Sequence, residues 1–358
     1  MRVLVVNAGS STLKLSVLDG ADAVLDARTV SLSGSGWDQA ELEGVLGALP
    51  VPDAVGHRVV HGGRRYVGPV RLDDRVVADL EGLAVLAPLH QPKALAGIEA
   101  VSAVLPGVEG VACFDTAFHA SLPEVARTYA VPREWRSRWG VRRYGFHGLS
   151  HAFVAERLGG VGDRLVSAHL GAGASLAAVR EGVCVDTTMG FTPVEGLVMA
   201  TRSGDVDPGA LLWLQRYAGL GVDEVAEGLE RGSGLLGLAG SGDMRQVLAD
   251  EGRGVEEAVL AVGVYVHRLR ARVAAMAASL SGLDVLAFTA GVGEGSAVVR
   301  SRVCAGLAFL GVEVDEGVNG SLRGEGEISA GDAPVRTFVV GAREDVQIAR
   351  GVRAVLGG

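Results

Sequence analysis

The sequence of 358 residues predicts an α/β protein built from two copies of one folding unit. Three observations carry that expectation. Short Val- and Leu-rich runs bounded by Gly and Ser alternate with stretches of helical periodicity along the whole chain. Residues 3–18 read as strand, polar turn, strand, and residues 165–179 repeat the pattern about half a chain later. With His169 laid on Asn7, Gly171 falls on Gly9 and Val179 on Val17. The length also suits two domains of ordinary size.

The opening hairpin joins residues 3–6 to 15–18 through Asn7-Ala8-Gly9-Ser10-Ser11-Thr12-Leu13-Lys14. Backbone N–H groups and hydroxyls around a glycine make a concave anion site, and a lysine adds a point charge. A solvated hairpin turn fits the same residues equally well. A polar, glycine-rich segment is expected at 31–36 and a helix at 37–48, ended by Pro50 and Pro52. Residues 53–63 read as a strand entering the turn Gly62-Gly63, and 73–86 as a helix. Two prolines stiffen the loop 87–92, a helix runs on through Leu105, and 111–116 is a buried strand ending in Asp115-Thr116. A helical linker then leads to Arg142-Arg143-Tyr144-Gly145-Phe146-His147-Gly148.

After the second hairpin, Asp207-Pro208 places an N-cap acid before a proline at the first helical position. Helices follow to about Ala218, over 223–230 and over 255–280. Residues 283–289 form a buried strand that enters a third glycine turn, Ala290-Gly291-Val292-Gly293-Glu294-Gly295-Ser296, which opens a helix. A last strand at 335–340 precedes the C-terminal helix that starts at 342–345.

Composition excludes several classes. Net charge is −9 with no run of basic residues, which argues against a nucleic-acid surface. Cys113, Cys184 and Cys304 are widely spaced and form no CxxC pair, so reduced, buried cysteines of a cytoplasmic protein are expected. The most apolar long stretch, 258–280, is broken by His267, Arg268, Arg270 and Arg272, so no membrane span is expected. The 53 glycines point to many tight turns. Lys14 and Lys93 are the only lysines, which makes a lysine in the opening turn noteworthy.

Some motifs mislead. Gly232-Ser233-Gly234-Leu235-Leu236-Gly237 fits GxGxxG, yet a helix precedes it where a dinucleotide site needs a strand, and it reads as a loop. No P-loop exists. His57 and His61, like His147 and His151, are four residues apart, but neither pair carries the HExxH glutamate, so zinc is not expected. The remaining groups form one chemical set. Three glycine turns can hold a polyphosphate. His147, His169, Arg58 and Arg202 can neutralise charge on a transferring phosphoryl group, and Asn7, Asp115 and Glu344 can hold Mg2+ and its waters. Phosphoryl transfer is catalysed mainly by positioning and charge stabilisation, which is what such residues supply.

The segments 7–14, 57–63, 87–92, 114–119, 142–151, 169–175, 186–208, 288–296 and 344–350, in that order over nearly the whole chain, strongly resemble the acetate kinase family. The resemblance implies the acetate and sugar kinase/Hsc70/actin fold, with duplicated RNase H-like domains and the active site between them. Domains are expected at 1–117 plus 346–358, and at 118–345. It also implies a homodimer and transfer of phosphate between ATP and acetate with Mg2+, or Mn2+ as an alternative, giving ADP and acetyl phosphate. Asn7 and Glu344 match the family's metal positions, and Lys14 matches an ATP-contacting lysine. Arg58 matches the substrate-binding arginine, Asp115 the catalytic acid, and His147 and Arg202 the transition-state stabilisers, with His90 and His169 nearby. Nucleotide contacts are implied at His169, Leu170, Gly171, Ala172 and Gly173, at Asp243, Met244 and Arg245, and at Gly291, Val292, Gly293, Glu294 and Gly295. Val60, Leu89, Phe146 and Pro193 match the pocket for the acetate methyl.

The sequence departs from the family pattern at Ala172, Ala200, Gly295, Gln91 and Ala342-Arg343. Loss of one neutral contact at Ala172 would cost on the order of 1 kcal/mol, enough to weaken nucleotide binding without abolishing it. Propionate or butyrate as acceptor is the alternative within the class, since one methylene changes discrimination by only ~1–3 kcal/mol. A non-catalytic ATP-driven module of the same fold would lack the Arg58, His147 and Arg202 set, which is intact here. A carboxylate acceptor is already ionised at neutral pH, so Asp115 is expected to orient Arg58 or a metal-bound water more than to move a proton.

Overall fold

The computed structural model describes residues 1–9, 12–33, 36–37, 39–88 and 90–357. Two compact units divide the chain. Met1–Ala120, Phe146–Phe153 and Arg343–Gly358 form the first, and Ser121–Gly145 and Val154–Ala342 the second.

The first unit holds strands β1 (Val3–Ala8), β2 (Thr12–Leu18), β3 (Val24–Ser33), β4 (Gly36–Trp37), β5 (Ala54–Val59), β6 (Val70–Arg71) and β7 (Glu109–Phe114) in the order β4-β3-β2-β1-β5-β7-β6. β1, β2 and β3 run antiparallel, β1, β5 and β7 parallel, and β6 returns antiparallel. The second unit repeats this plan with β8 (Arg164–Leu170), β9 (Ala174–Arg180), β10 (Val183–Thr187), β11 (Val285–Thr289), β12 (Gly326–Glu327) and β13 (Arg336–Val339), ordered β10-β9-β8-β11-β13-β12. Again three antiparallel strands lead into three parallel ones and an antiparallel edge. This is the duplicated RNase H-like architecture that the two hairpins foretold.

Helices α1 (Gln39–Ala48), α2 (Asp74–Gly82), α3 (Gln91–Val104), α4 (Glu124–Arg127), α5 (Arg133–Trp139), α6 (Gly148–Arg157) and α7 (Pro208–Tyr217) come first. They are followed by α8 (Val222–Glu230), α9 (Gly234–Ala239), α10 (Met244–Gly252), α11 (Glu256–Leu280), α12 (Ala290–Gly295), α13 (Ala297–Ala305), α14 (Glu316–Ser321) and α15 (Glu344–Leu356).

Strand alternation sorts the first core into two layers. Val3, Val5, Ala54, Val111 and Cys113 pack on Val346, Ile348, Ala349 and Val352 of α15. Leu4, Val6, Leu13, Leu15 and Val55 pack on the opposite face with Leu42 and Leu46 of α1 and Val101 of α3. Such period-2 division is what places a helix on each side of this mixed sheet. α15 lies so close to β5 that a Cβ at Gly56 would sit 2.5 Å from Ile348 Cγ2 and 2.7 Å from Val352 Cγ2. The same helix is tied to the β2–β3 turn by Arg350 and Arg353, which donate to Asp22 at 2.8 and 2.6 Å. In the second unit α11 lies against β8, β9 and β10 and carries a buried stripe from Ala258 to Leu280. The three cysteines are buried and form no disulfide, and burial pushes the thiols of Cys113 and Cys304 up to about 12.

Five expectations change. The polar segment at 31–36 is partly strand: β3 extends through Ser33 and pairs Ser31 with Thr12, its weak alternation reflecting Val24 and Leu25 exposed towards the edge. Trp37 belongs to β4, and α1 starts at Gln39. Gly234-Leu235-Leu236-Gly237 is helical, as part of α9, and the third glycine turn is itself the short helix α12. The hairpin overlay slips by one residue after the turn. Ala8 pairs with Leu13 and Asn7 with Lys14, whereas Leu170 pairs with Ala174 and His169 with Ser175. The second turn is one residue shorter, so Ser175, not Leu176, stands where Lys14 stands in the first hairpin.

Candidate active site

The ends of the parallel strands β1, β5 and β7 bring together the charged groups of the first unit. Arg58 lies on the same face of β5 as Gly56, the face that α15 covers, and Asp115 follows β7 with its N–H donating to Val59 O at 3.1 Å. The Arg58 guanidinium grips Asp115 with a fork, Nε to Oδ1 at 3.0 Å and Nη2 to Oδ2 at 2.6 Å. Its Nη1 donates to Asn7 Oδ1 at 3.1 Å, Asn7 Nδ2 donates to Glu344 Oε2 at 3.4 Å, and Arg58 Nε lies 3.8 Å from that same oxygen. Asp115 is buried, at 1% exposure, while Arg58 keeps 19% of its side chain accessible.

Burial by itself would pull Arg58 down, but the charges of Asp115 and Glu344 outweigh it and hold the guanidinium well above its ordinary value. Burial pushes the Asp115 carboxyl up, Arg58 pulls it down, and Glu344 adds repulsion. With both carboxylate oxygens accepting from one guanidinium, the pair is an ion pair whose remaining donor edge is fixed in direction. Lys14 stands opposite Asn7 in the β1–β2 ladder and is exposed.

Phe146 and His147 enter the same unit on the segment before α6. Phe146 is buried edge-on to His61, ring centroids 5.6 Å apart, and its carbonyl meets His119 Nε2 at 2.9 Å. His61 Nδ1 accepts from the N–H of Gly63 at 2.9 Å, so the neutral ring carries its proton on Nε2, and burial lowers the imidazole to about 4. The side chain of Gln91 holds that loop: Oε1 accepts from His61 N at 3.2 Å and Nε2 donates to His61 O at 3.1 Å. His147 has φ of 55°, a left-handed conformation that a non-glycine residue adopts only under constraint. Val60 is half-buried just beyond β5, and His90 caps the start of α3. Leu89 lies outside the described residues, as do the turn hydroxyls of Ser10 and Ser11.

The second unit contains a cavity of about 630 Å³. Gly171 and Ala172 from the β8–β9 turn, Asp243, Met244 and Arg245 at the start of α10, and Gly291, Val292 and Gly295 of α12 line it. That size and mixed lining suit a nucleotide-sized ligand. Gly242, Leu248 and Tyr265, which line it too, carry no signal in the sequence; Leu235 comes from the GxGxxG stretch set aside as a loop, Ser296 closes the third glycine turn, and Ala200 was marked only as a departure. Leu170 is buried behind the turn, while Gly173 closes it by accepting from Gly171 N at 3.0 Å. Gly293 and Glu294 turn their carbonyls to Arg300 at 2.9 and 2.7 Å. Arg300 is buried, and burial pulls its guanidinium down; its other donors go to Asn319. His169, the penultimate residue of β8, is almost fully buried. On a separate loop of this unit, Arg202 Nη1 donates to Pro193 O at 3.2 Å, which joins those two residues.

A duplicated RNase H-like fold whose second half encloses such a glycine-lined cavity is the plan of the actin/hexokinase class of phosphotransferases. Residues 45–350 match the model of the acetokinase family, and the chain belongs to that family. It is 43% identical to the acetate kinase of Clavibacter sepedonicus over 99% of both chains, and 43% identical to that of Coprothermobacter proteolyticus over the full length of both. The crystal structure of acetate kinase from Porphyromonas gingivalis superposes with a TM-score of 0.90 at 37% identity, covering 99% of each chain. A propionate kinase from Francisella tularensis superposes at 0.92 with 32% identity and the same coverage.

Proposed function

We propose that this protein catalyses the reversible, Mg2+-dependent transfer of the γ-phosphoryl group of ATP to acetate, giving ADP and acetyl phosphate. The arrangement of Arg58 carries this reading. A guanidinium gripped on one edge by buried Asp115 presents a fixed, charged donor at the strand ends, suited to a small carboxylate. The acetate carboxylate attacks in line as an anion, so no base is required. Asp115 therefore serves as a positioning residue for Arg58. Val60 and Phe146 of this unit supply apolar surface for the methyl group, together with Leu89 and Pro193. His147 and Arg202 stabilise charge on the transferring phosphoryl group, with His90 and His169 assisting.

Asn7 and Glu344 offer an amide oxygen and a carboxylate, hard donors of the kind that hold Mg2+ when phosphates and water complete its shell. When bound, the ion neutralises phosphate charge; Mn2+ has the same preferences. In the second unit the cavity takes ATP or ADP, its turns at 171–173 and 291–295 facing the phosphates, and Lys14 contributes charge from the opening hairpin.

A homodimer is supported by apolar surface on α7 and α8, where Leu212, Trp213, Tyr217 and Val222 are each more than half exposed. No described helix is long and apolar enough to cross a membrane, and with a net charge of −9 the chain fits a cytoplasmic enzyme that binds no nucleic acid.

The test is acyl hydroxamate formation from ATP and Mg2+ with acetate, propionate and butyrate. Acetate should give the highest kcat/KM. The likeness to a propionate kinase makes propionate the acid to watch, and a higher kcat/KM there would reassign the acceptor. Absence of product with all three acids would overturn the acyl-kinase reading.

A further inference from the structure

One polar group of the second unit's cavity has no part in the reaction above. Tyr265, on α11, lines the cavity beside Leu235, Met244 and Leu248. Its side chain is 4% exposed, and its hydroxyl makes no hydrogen bond with any described residue. Buried tyrosine hydroxyls ordinarily have a partner, and one without a partner has lost its water for nothing in return. Burial raises the phenol, so the group stays a neutral O–H that can both donate and accept.

The rest of the lining divides by chemistry. Gly171, Gly291 and Gly295 are small and present backbone, which suits phosphates and ribose. Leu235, Met244 and Leu248 are apolar and come from helices packed on α11, which suits the flat face of an aromatic base. A base has polar edges, and an edge buried among Leu and Met would lose its hydrogen bonds unless the wall carried a polar group. Tyr265 supplies that group on the apolar side.

We propose that Tyr265 is a base-reading residue, whose hydroxyl pairs with the polar edge of a purine when a nucleoside di- or triphosphate enters the cavity. The inference rests on the reading of this cavity as the nucleotide site. It assigns recognition of the base to a residue of α11, apart from the turns that would hold the phosphates.

The experiment compares wild type with Tyr265→Phe, which keeps the ring and removes only the hydroxyl. Titration calorimetry with ADP, and separately with inorganic tripolyphosphate as a probe without a base, is combined with thermal unfolding of the ligand-free protein. The variant should bind ADP about five- to tenfold more weakly, the effect of one neutral hydrogen bond, and tripolyphosphate as wild type does. Its ligand-free melting temperature should equal or exceed that of wild type, since an unpaired buried hydroxyl has been removed. Unchanged ADP affinity, equal weakening of both probes, or a lower ligand-free melting temperature would each overturn the assignment. Failure of the wild type to bind ADP would instead overturn the nucleotide reading of the cavity.

Discussion

The backbone N–H of Gly148 donates to the carbonyl oxygen of Asp115 at 2.8 Å, joining two segments 33 residues apart in sequence. A Cβ at position 148 would overlap that oxygen and approach Phe118 Cβ to 3.0 Å. The preceding residue is His147 with its left-handed backbone, and the following ones form α6. A bare glycine thus lets the segment bearing His147 meet the segment bearing Asp115. Gly148→Ala should force the two apart. The expected cost is about 1–3 kcal/mol of stability, read as a lower urea midpoint, together with a loss of kcat of about tenfold or more. A variant with wild-type midpoint and rate would show that neither segment depends on this contact.

The Arg58–Asp115 fork makes a separate prediction about the role of the carboxylate. Asp115→Asn leaves one acceptor and turns an amide donor towards a guanidinium that can only donate. If Asp115 positions Arg58, acetate KM should rise, and kcat/KM for acetate should fall roughly 10- to 100-fold, the equivalent of one charge-assisted hydrogen bond. The acid limb of the pH–rate profile should stay where it is. Normal acetate KM with loss of that limb alone would return Asp115 to proton transfer.

Much of this site could be read from residue order, for identifiable reasons. Strands β1, β7 and β11 carry unbroken apolar runs at 3–6, 111–114 and 285–288, because both faces of their sheets are covered, and such runs stand out beside glycine turns, whereas β5 and β8 mix polar residues into the pattern. Asn7 and Asp115 could be placed near strand ends because each directly follows one of those runs, and Arg58 because the turn Gly62-Gly63 closes its strand. Strand β3 was hidden because Asp26, Arg28 and Thr29 interrupt it and part of it is exposed, so no run marks it. The one-residue slip in the second hairpin was equally hidden, since 174–179 is apolar at nearly every position and carries no alternation to fix a register. Gln91 looked like a simple departure from the family pattern. Its place in the fold follows from a long-range pairing with the backbone of His61, which no local pattern encodes. Tyr265 escaped notice because a tyrosine within an apolar helix usually belongs to the core.

The buried histidines of the first unit predict how stability responds to acid. His57 is 3% exposed in the middle of β5, its Nδ1 makes no hydrogen bond to any described residue, and burial lowers it to about 3. His61 is lowered to about 4, and protonation of its Nδ1 would break the bond from Gly63. Both values lie below the ordinary 6.5 of an exposed histidine. Between the two limits the unfolded chain therefore binds protons that the folded chain does not, and folding stability falls as pH falls. The contribution is complete above about pH 6.5 and is lost progressively on the way to pH 4 and then 3. From pH 7 to pH 5 each histidine should remove roughly 2 kcal/mol, seen as a falling urea midpoint. His57→Gln should flatten that fall by about half of the histidine share, whatever its effect on stability at pH 7. A midpoint independent of pH from 7 to 5 in the wild type would mean that these rings take up protons in the folded state as readily as in the unfolded one.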